Sequence, residues 1–97
     1  MLTKEENEFL CGVGPGTPAG EWLRRYWYPI CPATELNDET PTRYVRLLGE
    51  DLVMFKDKSG GIGLLQERCS HRGASLVYGR IAENGIACAY HGWLYNT

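Results

Sequence analysis

The sequence predicts a mostly β fold: antiparallel strands preceded by short helices. Three observations lead there. From Arg43 to Gln66, short apolar-rich runs are punctuated by the turn clusters Gly49-Glu50-Asp51 and Asp57-Lys58-Ser59-Gly60-Gly61, the spacing of a meander. Further on, Asn84-Gly85 separates two short apolar runs, a strong local hairpin signal. Helical signals are confined to the first part of the chain.

Thr3-Lys4-Glu5-Glu6 is a capping box, a hydroxyl N-cap with Glu three residues later, and predicts a helix over about Lys4 to Leu10. Cys11 to Gly20 holds four Gly and two Pro in ten residues and is read as irregular. It lacks the Gly-Lys-Ser/Thr ending of a phosphate-cradling loop. Glu21 to Trp27 restarts a helix that Pro29 ends, and its aromatics Trp22, Tyr26 and Trp27 are expected to pack against a sheet or a neighbouring subunit. Tyr28–Ala33, broken by Pro29 and Pro32, is at best an edge strand. Asn37–Pro41 is a turn, Arg43–Leu48 and Leu52–Lys56 pair, and Ile62–Gln66 leads straight into Cys69. Ile81–Glu83 and Ile86–Cys88 flank Asn84-Gly85 as a hairpin.

Length and charge exclude several classes. Ninety-seven residues make one domain at most, and a domain this small buries only about 60–65% of its unfolded surface. At a net charge of −2 nothing is basic enough to suggest nucleic acid. No apolar run approaches membrane length, so no membrane partner is expected. The polar start MLTKEENEF is no signal peptide, and the cytoplasm is the expected compartment. In that reducing setting a Cys11–Cys31 disulfide is disfavoured.

The chemistry concentrates between Cys69 and His91. Two of the four cysteines and both histidines lie there, as Cys69-Ser70-His71 and Cys88-Ala89-Tyr90-His91, with sixteen residues between the clusters. Mixed thiolate and imidazole donors suit zinc, copper or iron–sulfur chemistry. Structural zinc sites usually pair Cys with Cys and His with His. Here each cluster supplies one of each. Two tips brought together would set two thiolates on one side and two imidazoles on the other, the donor division of a Rieske [2Fe–2S] centre. Glycine follows closely in each cluster, Arg72-Gly73 and Gly92-Trp93, and lets the backbone turn tightly toward the sulfurs.

CSHRGASLVYGR with CAYHGW resembles the Rieske motif, C-x-H-R-G…C-x-Y-H-G-W, of aromatic-ring-hydroxylating oxygenase α subunits. VGPGTPAGEWLRRYWYPICPATEL is similar to the lead-in of the phthalate-dioxygenase-like members. Ser70 departs from the family's usual Pro, and Ala74 and Tyr90 stand where respiratory Rieske proteins carry an extra cysteine pair. The resemblance implies an incomplete Rieske-type antiparallel fold, with residues 1–36 as a helical and loop lead-in and 37–97 as the Rieske domain, truncated at its end. It implies that Cys69 and Cys88 hold the inner iron and His71 and His91 the outer. Arg72, Gly73, Tyr90, Gly92 and Trp93 would support those ligands.

The implied function is electron transfer as the N-terminal part of an oxygenase (dioxygenase or monooxygenase) active on aromatic compounds. A flavin and iron–sulfur reductase would be the donor. A mononuclear Fe(II) in a separate catalytic domain, of the same or a neighbouring subunit of a homotrimer, would be the acceptor. Both histidines of this chain are committed to the cluster, so these residues alone are not expected to be active. Two rival readings are a stand-alone Rieske ferredoxin and a zinc-stabilised interaction domain.

Overall fold

Two three-stranded antiparallel sheets form the body of the protein, whose computed structural model describes all 97 residues. The first sheet is β1 (Thr42–Leu47), β2 (Glu50–Lys56) and β3 (Ile62–Gln66), in that order. The second is β4 (Arg80–Ala82), β5 (Gly85–Ala87) and β6 (Leu94–Asn96), again in chain order. The expected mostly β class with a few short helices is what the chain adopts. No helix is long and apolar enough to cross a membrane.

The chain divides into two units, Met1–Ile30 with Arg46–Glu50, and Cys31–Val45 with Asp51–Thr97. In the first unit, α1 (Lys4–Cys11) carries the expected capping box, with both reciprocal hydrogen bonds between Thr3 and Glu6 present. Helix α2 is Pro18–Leu23, not Glu21–Trp27. Thr17 caps the Gly20 amide and Pro18 takes the first helical position, where its missing N–H costs nothing. The helix therefore begins inside the Gly/Pro run that composition marks as irregular. Past Leu23 the chain tightens into i to i+3 bonds, Arg25 to Trp22 and Tyr26 to Leu23, so Tyr26 and Trp27 stand outside the helix and only Trp22 lies within it. Trp27 is fully exposed and does not pack on a sheet. The Arg24 guanidinium gathers the Val13 and Leu48 carbonyls at 2.9 and 3.0 Å and pairs with Glu50 at 2.8 Å. Leu48 sits at φ 51°, beside Gly49 at φ 77°, a left-handed pair that closes the β1–β2 turn one residue earlier than Gly49-Glu50-Asp51 suggests.

The second unit holds the core. Leu36, Val53, Met54, Phe55, Leu76 and Ile86 are buried, together with Cys69 and Cys88. Tyr28–Ala33 forms no strand; Pro29 and Pro32 remove ladder donors, and only a single 3₁₀ turn follows at Ala33–Glu35. The β2–β3 ladder pairs Val53 with Leu65 and Phe55 with Gly63. Phe55 lies over Gly63 so closely that a Cβ there would stand 2.5 Å from the ring. Hairpin β4–β5 turns at Glu83-Asn84, one residue before the expected Asn84-Gly85. Gly85 belongs to the strand because the β6 backbone crosses it, and a Cβ would meet the Tyr95 carbonyl at 2.0 Å.

The buried Asp57 carboxylate organises the β2–β3 turn. It accepts from the Ser59 hydroxyl and the Gly61 amide, each at 2.7 Å. The Ser59 hydroxyl above all, with the amides of Gly61, Ser59 and Gly60, holds its pKa below the ordinary carboxylate value against the opposing effect of desolvation. A depressed folded pKa stabilises the fold above the unfolded value and loses that contribution as pH falls through the folded one. Asp57→Asn should therefore lower the urea midpoint at pH 7, and the gap to the parent should narrow by pH 3. Gly63→Val should cost about 1–3 kcal/mol by overpacking Phe55, read from the same urea curves at pH 7.

Candidate metal centre

The two Cys–His clusters fold into equivalent loops. In the first, the Cys69 amide donates to the Ala74 carbonyl at 2.8 Å and the Gly73 amide to the Cys69 carbonyl at 2.9 Å. In the second, Cys88 donates to Trp93 at 2.8 Å and Gly92 to Cys88 at 2.9 Å. Each loop is closed at its base by an antiparallel pair flanking it, Arg68 with Ser75 and Ala87 with Leu94. Counted from its cysteine, every one of these bonds falls at the same position in both loops. Gly73 and Gly92 match too, at φ 73° and 78°. A side chain at either would meet nothing within 4 Å, so the left-handed backbone, not space, is what calls for glycine.

On this shared frame the histidines are offset by one residue, His71 two after its cysteine and His91 three after. The result is a division by depth. Cys69 and Cys88 are 4% and 3% exposed and belong to one cluster with Val53 and Leu76. His71 and His91 are exposed, with their Nδ1 atoms 3.0 Å apart. The Trp93 ring stacks on His71 at 4.5 Å and an interplanar angle of 9°. Tyr90 leans on His91 at 4.0 Å. Arg72 is exposed, and the Arg68 guanidinium donates to the Gly73 carbonyl at 3.1 Å. Of the four expected ligands, the two histidine rings meet each other and the two cysteines share one buried cluster; Trp93 and Tyr90 lie against the histidine rings. No group of three or more Cys, His, Asp or Glu side chains is arranged to hold a metal ion.

Tyr95 is the residue that the sequence reading passed over. It lies on β6, a strand not expected from the six residues after His91, and its hydroxyl stands 3.2 Å from Cys69 Sγ and 3.0 Å from the Ser70 amide. A signal existed. Tyr95 and Leu76 occupy the same position of the two loops, seven residues after the cysteine, and the closing pair at each loop base requires a strand there. The Tyr95 hydroxyl, and after it the His71 amide, lowers the Cys69 thiol pKa; the Cys88 side chain and the Arg72 amide add to this against desolvation.

Twin Cys–His loops over antiparallel sheets are the pattern of one class of iron–sulfur protein. Residues 26–97 match the Rieske [2Fe-2S] domain family, and the chain belongs to it. It is 50% identical over its full length to the 5,5'-dehydrodivanillate O-demethylase oxygenase subunit of Sphingobium, of which it covers 23%. Over 96% of the chain it is 50% identical to the phthalate 4,5-dioxygenase oxygenase subunit of Pseudomonas putida, covering 21% of it. The chain thus spans about a fifth of the length of these curated relatives. Among solved structures, Pseudomonas putida CBB5 NdmA matches with a TM-score of 0.69 and 38% identity over 79% of this chain and 24% of that one. The complex between oxygenase and ferredoxin in carbazole 1,9a-dioxygenase matches with a TM-score of 0.58 and 34% identity over 73% of this chain and 18% of that one.

Gly92→Ala should destabilise the fold by about 1–2 kcal/mol through backbone strain alone. Gly92→Asn should cost less, because Asn visits the left-handed region more readily. Chemical denaturation of the two variants beside the parent checks the ranking.

Proposed function

We propose that this chain carries one electron at a time through a Rieske [2Fe–2S] cluster held by Cys69, Cys88, His71 and His91, as the electron-transfer part of an oxygenase. The observation that supports it best is the depth division: two buried thiols and two exposed imidazoles at the tips of equivalent loops. The donor set fits the group, two sulfurs for one iron and two imidazole nitrogens for the other. When bound, such a cluster supplies a one-electron couple, and its His-ligated iron is the easier one to reduce because imidazole donates less charge than thiolate.

The residues of the chain divide the remaining work. Gly73 and Gly92 turn the loops so that their amides close on the cysteine carbonyls. Trp93 fixes the His71 ring by stacking, Tyr90 supports His91, and Arg72 offers its amide toward Cys69. Tyr95 joins them as a hydrogen-bonding neighbour of Cys69. The cluster-holding part is residues 37–97, behind the lead-in of residues 1–36. A reducing compartment, the cytoplasm, suits a chain whose four cysteines are all free.

The relatives named above are oxygenase subunits, and one solved neighbour is an oxygenase bound to ferredoxin. By that analogy the donor is a flavin and iron–sulfur reductase or a ferredoxin. The acceptor is a mononuclear Fe(II) domain of the same or an adjacent subunit in a homotrimer, acting on an aromatic substrate. Reconstitution with iron and sulfide should give about two irons and two labile sulfides per chain, at a potential of roughly −150 to +300 mV. His71→Cys should move the potential down toward about −400 mV, the all-cysteine range. Zinc retained without labile sulfide would overturn the reading.

A further inference from the structure

The two cysteine loops are alike in their own bonds and unlike in what lies beneath them. Below the second, β5 and β6 continue the pairing from Ala87 with Leu94, through Ile86 with Tyr95, to Gly85 with Asn96. Below the first, a single bridge, Arg68 with Ser75, lies outside any strand, and beside it the Leu76 amide donates to the Glu67 carbonyl at 2.7 Å. Side chains act where the ladder is missing. The Ser75 hydroxyl donates to the Glu67 carboxylate at 2.9 Å. The Arg68 guanidinium donates to the Gly73 carbonyl at 3.1 Å, a contact that brackets both Cys69 and His71. In the second loop the positions matching Glu67 and Arg68 are Ile86 and Ala87, whose side chains have neither donor nor acceptor. Gly73 sits at φ 73°, and glycine has the widest backbone freedom, so a fixed partner for its carbonyl excludes more conformers there than at other residues.

We infer that Arg68 is a positioning residue: its guanidinium holds the first loop closed through the Gly73 carbonyl and so keeps Cys69 and His71 in place to take up and retain the cluster. This rests on the cluster assignment proposed above. The contact is exposed, so it adds little to the stability of the whole fold. Its effect is local, on the opening of a loop that one bridge closes. Opening matters most at His71, because Trp93 of the second loop stacks on that ring and a first loop that swings out loses the stack. Arginine suits the position, since its planar fork of donors is set in direction where a lysine ammonium is not.

The test is hydrogen–deuterium exchange of the whole cluster-loaded chain, read by mass spectrometry on peptides spanning residues 52–66, 69–75 and 88–94, beside the rate of iron loss to a chelator. Arg68→Met keeps an apolar stem and removes every donor. It should speed exchange of the 69–75 peptide, and iron loss with it, by about three- to tenfold, the loss of one hydrogen bond. The 52–66 and 88–94 peptides should stay at the parent rate. Arg68→Lys, which keeps the charge without the fork, should fall between the parent and Arg68→Met in both readouts. Equal acceleration of all three peptides would make Arg68 a general stabiliser and overturn the inference. Unchanged exchange of 69–75 would also overturn it, as would unchanged iron loss beside faster exchange of that peptide. Each of these leaves the cluster assignment standing. Failure of the parent to take up iron and sulfide would overturn the assignment itself, and the inference with it.

Discussion

The structure depends on one constraint, the closure of each cysteine loop upon itself. A cysteine that must be buried brings its peptide groups inward with it, and buried peptide groups need partners. Both loops meet this identically, with the cysteine amide and carbonyl each bonded within the loop. That closure forces the chain back over itself in six residues, and the reversal falls on a residue with φ near 75° in both cases. Glycine at positions 73 and 92 follows from the closure. So do the antiparallel pairs at the loop bases, Arg68 with Ser75 and Ala87 with Leu94, which fix where β6 must run.

Because the frames are equivalent, what differs between them carries the chemical distinction. At the second position after the cysteine one loop has His71 and the other Tyr90; at the third, Arg72 and His91. At the fifth, Ala74 faces Trp93, and the larger residue stacks its ring on the opposite loop's His71. Two of these differences, Tyr90 and Trp93, thus supply a ring that lies against an imidazole. An exposed imidazole pays little for its surroundings in packing, so stacking is the available means of holding it.

Much of this was legible in the chain. Turn clusters located β1 to β3, the last to its residue limits, although β2 buries Val53, Met54 and Phe55 in succession and does not alternate. The cysteine and histidine spacing marked the two loops whose histidine rings meet. Misses arose where a backbone interaction outweighed local composition. Thr17 and Pro18 start α2 within a run rich in Gly, since capping and a preset φ overcome the low helix propensity of two or three residues. Gly85 is a strand residue because the Tyr95 carbonyl leaves no room for a side chain, and that demand lies ten residues away. Tyr95 itself went unread for the same reason: its role exists only once β6 pairs with β5 and the two loops face each other.

The distribution of polarity then explains why the sulfur side and the nitrogen side of the site cannot exchange places. Cys69 and Cys88 are two of only nine buried hydrophobic residues, so the thiols are part of the core of a chain too small to have much else. A buried thiolate is costly unless hydrogen-bond donors surround it, and Tyr95 with the His71 and Arg72 amides meets that need at Cys69. A neutral imidazole tolerates exposure, and His71 and His91 lie at the surface. The side of the site that water reaches is therefore the side of the two histidines. Burial, donor placement and access point the same way. Moving a cysteine to the surface or a histidine inward would set each of them against the others.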